Sequence, residues 1–187
     1  MGQLARWSAR MIAAAFHEHL APCGISPSIA YEAAVFSKNL RGEIGYSPAA
    51  DLLVEYAWEG EEAHAWIELE VARADPVANP AKFLVSLSER SPRRGEVFVF
   101  ALSQAIPRGR AALCRRFVEM MRARGFPVWV EPLLPSANEH IIQRLNVRDS
   151  EVFEEALARE PEGLQRALSG DLRALAQRIH QYATARK

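Results

Sequence analysis

The sequence predicts an α/β fold, a mixed sheet flanked by helices, with a C-terminal helical extension. Three observations carry this. Short strand-like apolar runs recur at 51–58, 63–72, 95–103 and 126–134. Stretches with helical spacing precede and separate them. From about residue 137 onward only helical spacing remains. The division that follows is a core over 1–136 and a helical region over 137–187, packed on the core or on a dimer partner.

Residues 4–20 read as a helix, with Leu4, Trp7, Met11, Ala15 and Leu20 loosely on one side. "APCGISPS" breaks it. "IAYEAAVFSKNL" fits either a second helix capped by Ser28 or a strand. "RGEIGYSP" reads as loop or a short strand within loops. In "DLLVEYAW", Leu52, Val54, Tyr56 and Trp58 share one face, and Asp51, Leu53, Glu55 and Ala57 the other. "EGEE" makes the turn and "AHAWIELEVA" returns. A helix over 79–90, a buried strand over 95–103, a helix closed by Gly125 and a strand over 126–134 complete the core. Strands alternating with helices imply parallel pairing with right-handed crossovers. In the tail, Ser150 and Pro161 are start signals, and Gly170 is expected to break the last run.

The chain has 187 residues, a 49% apolar share and a formal net charge of zero. The total charge therefore gives no general attraction to nucleic acid, and any basic surface must be local. No apolar run is long enough to span a bilayer, so no membrane partner is expected. The basic N-terminal stretch lacks a cleavage site and reads as an amphipathic helix, which makes the cytoplasm the expected location. Cys23 and Cys114 have no metal-ligand spacing and read as buried apolar residues. No glycine-rich nucleotide fingerprint follows a strand. Arginines number 20 and lysines 3, Lys38, Lys82 and Lys187. A lysine retained in so arginine-biased a chain points to a need for lysine itself.

The chemistry concentrates in "WIELEVARADPVANPAKF". Glu68 and Glu70 lie two apart on a strand and share a face with Trp66 and Ala72. If helices cover that face, two ionised carboxylates there repel each other and lose hydration unless a cation or a shared proton compensates. Hairpin pairing with 51–58 brings Asp51 close to Glu70. Three carboxylates at one end of one sheet make a hard oxygen site suited to Mg²⁺ or Mn²⁺. Asn79 followed by Pro80 reads as a cap and first helical residue, which puts Lys82 at the third helical position. A cation there opposes the helix dipole, and local conflicts of this kind are expected where function intrudes.

These residues resemble the signature of the PD-(D/E)XK nuclease superfamily, the restriction-endonuclease-like fold. That family's core runs helix, three-stranded antiparallel meander, helix, strand. Its motif is an acid at the start of one strand, then Glu-x-Lys or Asp-x-Lys on the next. Asp51 in "SPAAD" resembles the first element, and Glu68 in "IELEV" the second. Glu70 stands where the family usually has lysine; some members use Glu-x-Glu, and others supply lysine from the following helix, as Lys82 would. The resemblance covers roughly 4–134 and implies Mg²⁺-dependent phosphodiester hydrolysis. Asp51 and Glu68 would be metal ligands, Glu70 a ligand or base, and Lys82 would neutralise developing charge. Glu18, or less readily Glu32, would match an auxiliary acid. The implied partner is nucleic acid, DNA in the first instance, cut by a homodimer. The departure at Glu70 keeps open a second reading: a nuclease-fold module without catalysis that binds nucleic acid or a protein.

Arg108, Arg115 and Arg122 recur every seven residues and suit either phosphate contact or a solvated helix face. Arg73 suits a phosphate contact or an ion pair, and Asp75 reads as a turn residue before Pro76. His17 and His19 diverge around a helix, which speaks against a zinc site.

Overall fold

The computed structural model describes residues 2–72 and 76–185. In chain order the elements are α1 Gln3–Leu20, β1 Ser28–Ala34, α2 Lys38–Ile44, β2 Ala49–Trp58, β3 Glu61–Glu70 and α3 Ala78–Ser86. They continue with β4 Glu96–Leu102, α4 Arg108–Arg122, β5 Val128–Pro132, α5 Glu139–Leu145, α6 Ser150–Ala158 and α7 Glu162–Thr184. Among the described residues these form one five-stranded sheet in the order β1-β2-β3-β4-β5. The first three strands are an antiparallel meander, and β4 and β5 are parallel to β3.

Helices cover both faces. Leu52, Val54, Ile67, Leu69 and Val99 pack against α1 and α7 through Leu4, Ile12, Phe16, Leu168, Leu172 and Ile179. Phe98, Phe100 and Val128 on the opposite face meet Leu40 of α2, Phe83 of α3 and Val118 and Met121 of α4. The helical tail therefore shares the first core and packs on this chain. Asp149 caps α6, its Oδ1 accepting from the N–H groups of Glu151 and Val152 at 2.8 and 3.1 Å.

Several expectations change. The stretch with two readings is strand first and helix second. Ser28 begins β1, and Ser37 caps α2 by accepting from Leu40 N–H at 3.1 Å. Residues 41–44, expected outside regular structure, complete α2, which closes at Gly45. Gly170 does not break α7. A glycine there costs about 1 kcal/mol, but Leu168, Leu172, Leu175 and Ile179 are all buried along the same helix, and that burial dominates. Cys23 is exposed, and only Cys114 is buried.

The hairpin turn is shorter than "EGEE". Glu59 and Gly60 both have positive φ (50° and 82°), as a two-residue type I′ turn requires. Trp58 pairs with Glu61, so β3 begins two residues early. Gly95 fixes the start of β4. Its φ is +72°, and an added Cβ would lie 2.2 Å from the Glu62 carbonyl oxygen. Gly95→Ala is expected to lower unfolding free energy by about 2 kcal/mol or more, with little change in secondary-structure content. Urea denaturation followed by circular dichroism measures it; an unchanged midpoint refutes the assignment.

Candidate functional site

The site lies where the meander meets the parallel half of the sheet. Along β3, Ile67, Leu69 and Val71 enter the first core, so Glu68 and Glu70 point to the opposite face. Both glutamates are buried, at 2% and 3% exposure. Continuing the register from Leu52↔Ile67 by one residue sets Asp51 across from Glu68, not Glu70 as the longer turn implied. The Asp51 carboxylate accepts from Leu69 N–H at 2.7 Å.

α3 brings the cation. Its first residue is Ala78, preceded by Val77 without a side-chain cap bond. Asn79 is therefore not the cap expected from "ANPAK"; its side chain turns inward and donates from Nδ2 to Glu70 Oε1. Lys82 falls at the fifth helical position rather than the third, so the conflict with the helix dipole is weaker than expected. Its ammonium lies 2.5 Å from Glu68 Oε1 and donates to the Ala49 carbonyl at 2.6 Å. Phe83, next to Lys82, anchors the helix. Its ring centroid lies 4.7 Å from that of Phe98 and 5.6 Å from that of Phe100.

Burial outweighs the ion pair at Glu68. Loss of solvent, reinforced by the nearby Asp51 and Glu70 charges, raises its pKa from 4.5 to about 8 although Lys82 pulls the other way. A lone ammonium at contact distance does not restore the hydration that the carboxylate has lost.

Asp51, Glu68, Glu70, Asn79 and Lys82 line one cleft of about 600 Å³. Other predicted residues fall elsewhere. Glu18 sits near the far end of α1 and pairs with Arg173 at 3.4 Å, whereas Gly2 and Ala5 from the near end line the cleft. Arg108 and Arg115 border a separate cleft with Gln104 and Glu139, and the Arg122 guanidinium stands 5.5 Å from the Trp129 ring centroid. Arg73 and Asp75 lie outside the described residues. Sequence reasoning missed three contributors to this cleft: Asn79 as a donor to Glu70, Tyr46, and Arg148 from the tail. The cap signature masked the first, and no periodicity or motif marks the other two.

Among the described residues no group of three or more His, Cys, Asp or Glu side chains is arranged to hold a metal ion. Comparison of the chain with protein-family models, with curated proteins and with solved structures finds no match.

The buried pair predicts a pH-dependent stability. The folded chain keeps the Glu68 proton up to about pH 8, whereas the reference value is 4.5. Stability from this group is fully present below the lower value and is lost as pH rises through the higher one. Glu68→Gln is expected to flatten the fall in melting temperature between about pH 5 and about pH 8. Lys82→Ala should cost about 3 kcal/mol in alkaline buffer, where it strands a buried charge, and much less near about pH 5. The double variant should recover most of the loss, and additive losses refute the coupling.

Proposed function

We propose that this protein is a metal-dependent nuclease of the PD-(D/E)XK kind, hydrolysing phosphodiester bonds in DNA and acting as a homodimer. The observation that carries the reading is the Lys82 ammonium, 2.5 Å from Glu68 Oε1 in the cleft that also holds Asp51. The element order supports it as well: a helix, a three-stranded antiparallel meander with α2 inserted between β1 and β2, a helix, then a parallel strand. Glu70 occupies the usual lysine position, and the cation comes from α3.

The donor set fits Mg²⁺ or Mn²⁺. Mg²⁺ usually takes one or two carboxylates and completes its shell with water and substrate phosphate, so it needs no three-carboxylate cage. Asp51 and Glu68, opposed across β2 and β3, would hold it, with Glu70 beside them. When bound, the ion would polarise the scissile phosphate and lower the pKa of a water molecule. Glu68 must then be ionised, and a second cation beside it favours that form. Glu70 would accept the proton of the attacking water. Lys82 would donate to a phosphoryl oxygen as negative charge grows there. The Phe83 ring, its centroid 5.7 Å from the Lys82 ammonium, keeps that side of the cation dry and strengthens its interactions.

A second reading, a nuclease-fold module without catalysis that binds nucleic acid or a protein, draws on two observations. Glu70 is tied to Asn79, and Glu68 holds its proton to about pH 8.

Cleavage of plasmid, linear duplex and single-stranded DNA and of RNA in Mg²⁺ or Mn²⁺ separates the two. The nuclease reading expects cleavage that falls about 100-fold or more in Asp51→Asn and Lys82→Ala. No cleavage of any substrate by the wild-type protein overturns it. Titration with Mn²⁺ near neutral pH should release about one proton as Glu68 ionises. Calorimetry in buffers of different ionisation enthalpy reads that proton. Zero release, or release unchanged in Glu68→Gln, removes Glu68 from the ligand set.

A further inference from the structure

The helical tail adds a cation to the rim of this cleft. The loop joining α5 to α6 contributes Asn146 and Arg148 to the lining. It is pinned to the start of α1: Gln3 N–H donates to the Val147 carbonyl at 3.0 Å, and Gln3 Nε2 donates to the Arg148 carbonyl at 2.9 Å. The approach is close, since a Cβ at Gly2 would lie 3.0 Å from Asn146 Oδ1. On the other side Asp149 is held as the cap of α6. Arg148 is thus fixed at its backbone and exposed at its side chain.

Its pairing sets it apart. Among the described residues beyond 137, Arg144, Arg159, Arg166, Arg173 and Arg178 each have a glutamate partner. Arg148 has no side-chain hydrogen bond or ion pair among the described residues. Among the described tail residues, the one arginine whose side chain has no described partner is the one that lines the carboxylate cleft. Among the described residues the cleft lining includes three acidic side chains, Asp51, Glu68 and Glu70, and the Lys82 ammonium. A guanidinium at the rim adds positive charge, and its planar fork matches two phosphate oxygens.

We propose that Arg148 binds a backbone phosphate of the nucleic-acid strand at the mouth of the cleft. The helical region is then part of the substrate site rather than only a cover for the core. This rests on the nuclease reading above. A phosphate contact fixes the strand's position without reading its sequence.

The test is fluorescence anisotropy with fluorescein-labelled duplex DNA, single-stranded DNA and single-stranded RNA, in Ca²⁺ instead of Mg²⁺, over a range of salt. Arg148→Ala should weaken binding about tenfold on the preferred probe and make the plot of log K against log salt shallower by about 0.9 for duplex or about 0.7 for a single strand. In Mg²⁺ it should raise KM far more than it lowers kcat. Arg148→Lys should recover most of the salt slope, and Arg159→Ala, which removes a paired arginine at the C-terminal end of α6, should match wild type. If wild type binds and both Arg148 variants keep its salt slope and KM, this proposal fails alone. If wild type neither binds nor cleaves any probe, the nuclease reading fails and takes this proposal with it.

Discussion

The arrangement of this molecule depends on a carboxylate buried on the inner face of a central strand. Helices lie on both sides of the sheet, so β3 has no solvated face to spare for Glu68. A cation from the next helix, Lys82 of α3, faces it at 2.5 Å. Phe83 packs that helix onto Phe98 and Phe100, and the neighbouring Lys82 then reaches both Glu68 and the Ala49 carbonyl. Aromatic packing thus sets the position of the ion pair, and the ion pair joins the starts of β2 and α3 to the end of β3. A shift of α3 by one residue would rotate Lys82 by about 100° and break both contacts.

Glu96 shows what a purely structural buried glutamate looks like in the same sheet. It is 3% exposed, much like Glu68. Burial alone raises its pKa, but Arg90, the Arg93 N–H and the Trp66 indole all donate to it, and the net effect holds it below the usual value. Glu68 goes the other way, with one ammonium against two neighbouring acids. Comparable burial with opposite shifts means that burial itself does not mark function. The incomplete compensation at Glu68 does, because a carboxylate left short of positive charge gains from an added cation. That contrast separates an incompletely compensated acid at the C-terminal end of β3 from a fully compensated one at the N-terminal end of β4.

Much of this was legible in the sequence, for identifiable reasons. Alternation along 51–58 and 63–72 marks β2 and β3 because one face of each feeds a core, and Glu68 with Glu70 interrupts the other face visibly. Lys82 stood out through arginine bias. The 29–40 stretch did not resolve because its alanines fit strand and helix alike, and Glu32 adopts a positive φ within β1. The register error has one source. A four-residue turn at 59–62 sets Asp51 opposite Glu70, whereas the two-residue turn at Glu59–Gly60 sets it opposite Glu68. Asn79 was misread because Asn-Pro is a strong cap signature, and only the buried Glu70 overrides it. Arg148 was illegible because its role comes from tertiary placement alone.

The pairing of Glu70 with a lysine on the next helix is best understood by counting donors. An ammonium has three N–H groups. Lys82 commits one to the Ala49 carbonyl and holds its charge 2.5 Å from Glu68 Oε1, which leaves donor capacity for a ligand in the cleft. Both protein contacts also restrict a side chain that would otherwise carry close to 2 kcal/mol of rotamer entropy. A lysine on α3 therefore arrives already oriented. The position two residues beyond Glu68 carries a second buried acid, Glu70. A carboxylate can occupy it because Asn79 donates to it and the adjoining backbone is held, the Glu70 carbonyl accepting from Ser103 N–H at 3.0 Å. Glu70 on β3 and Lys82 on α3 thus face one cleft from two elements, and Asn79 is the residue that makes the buried Glu70 tolerable.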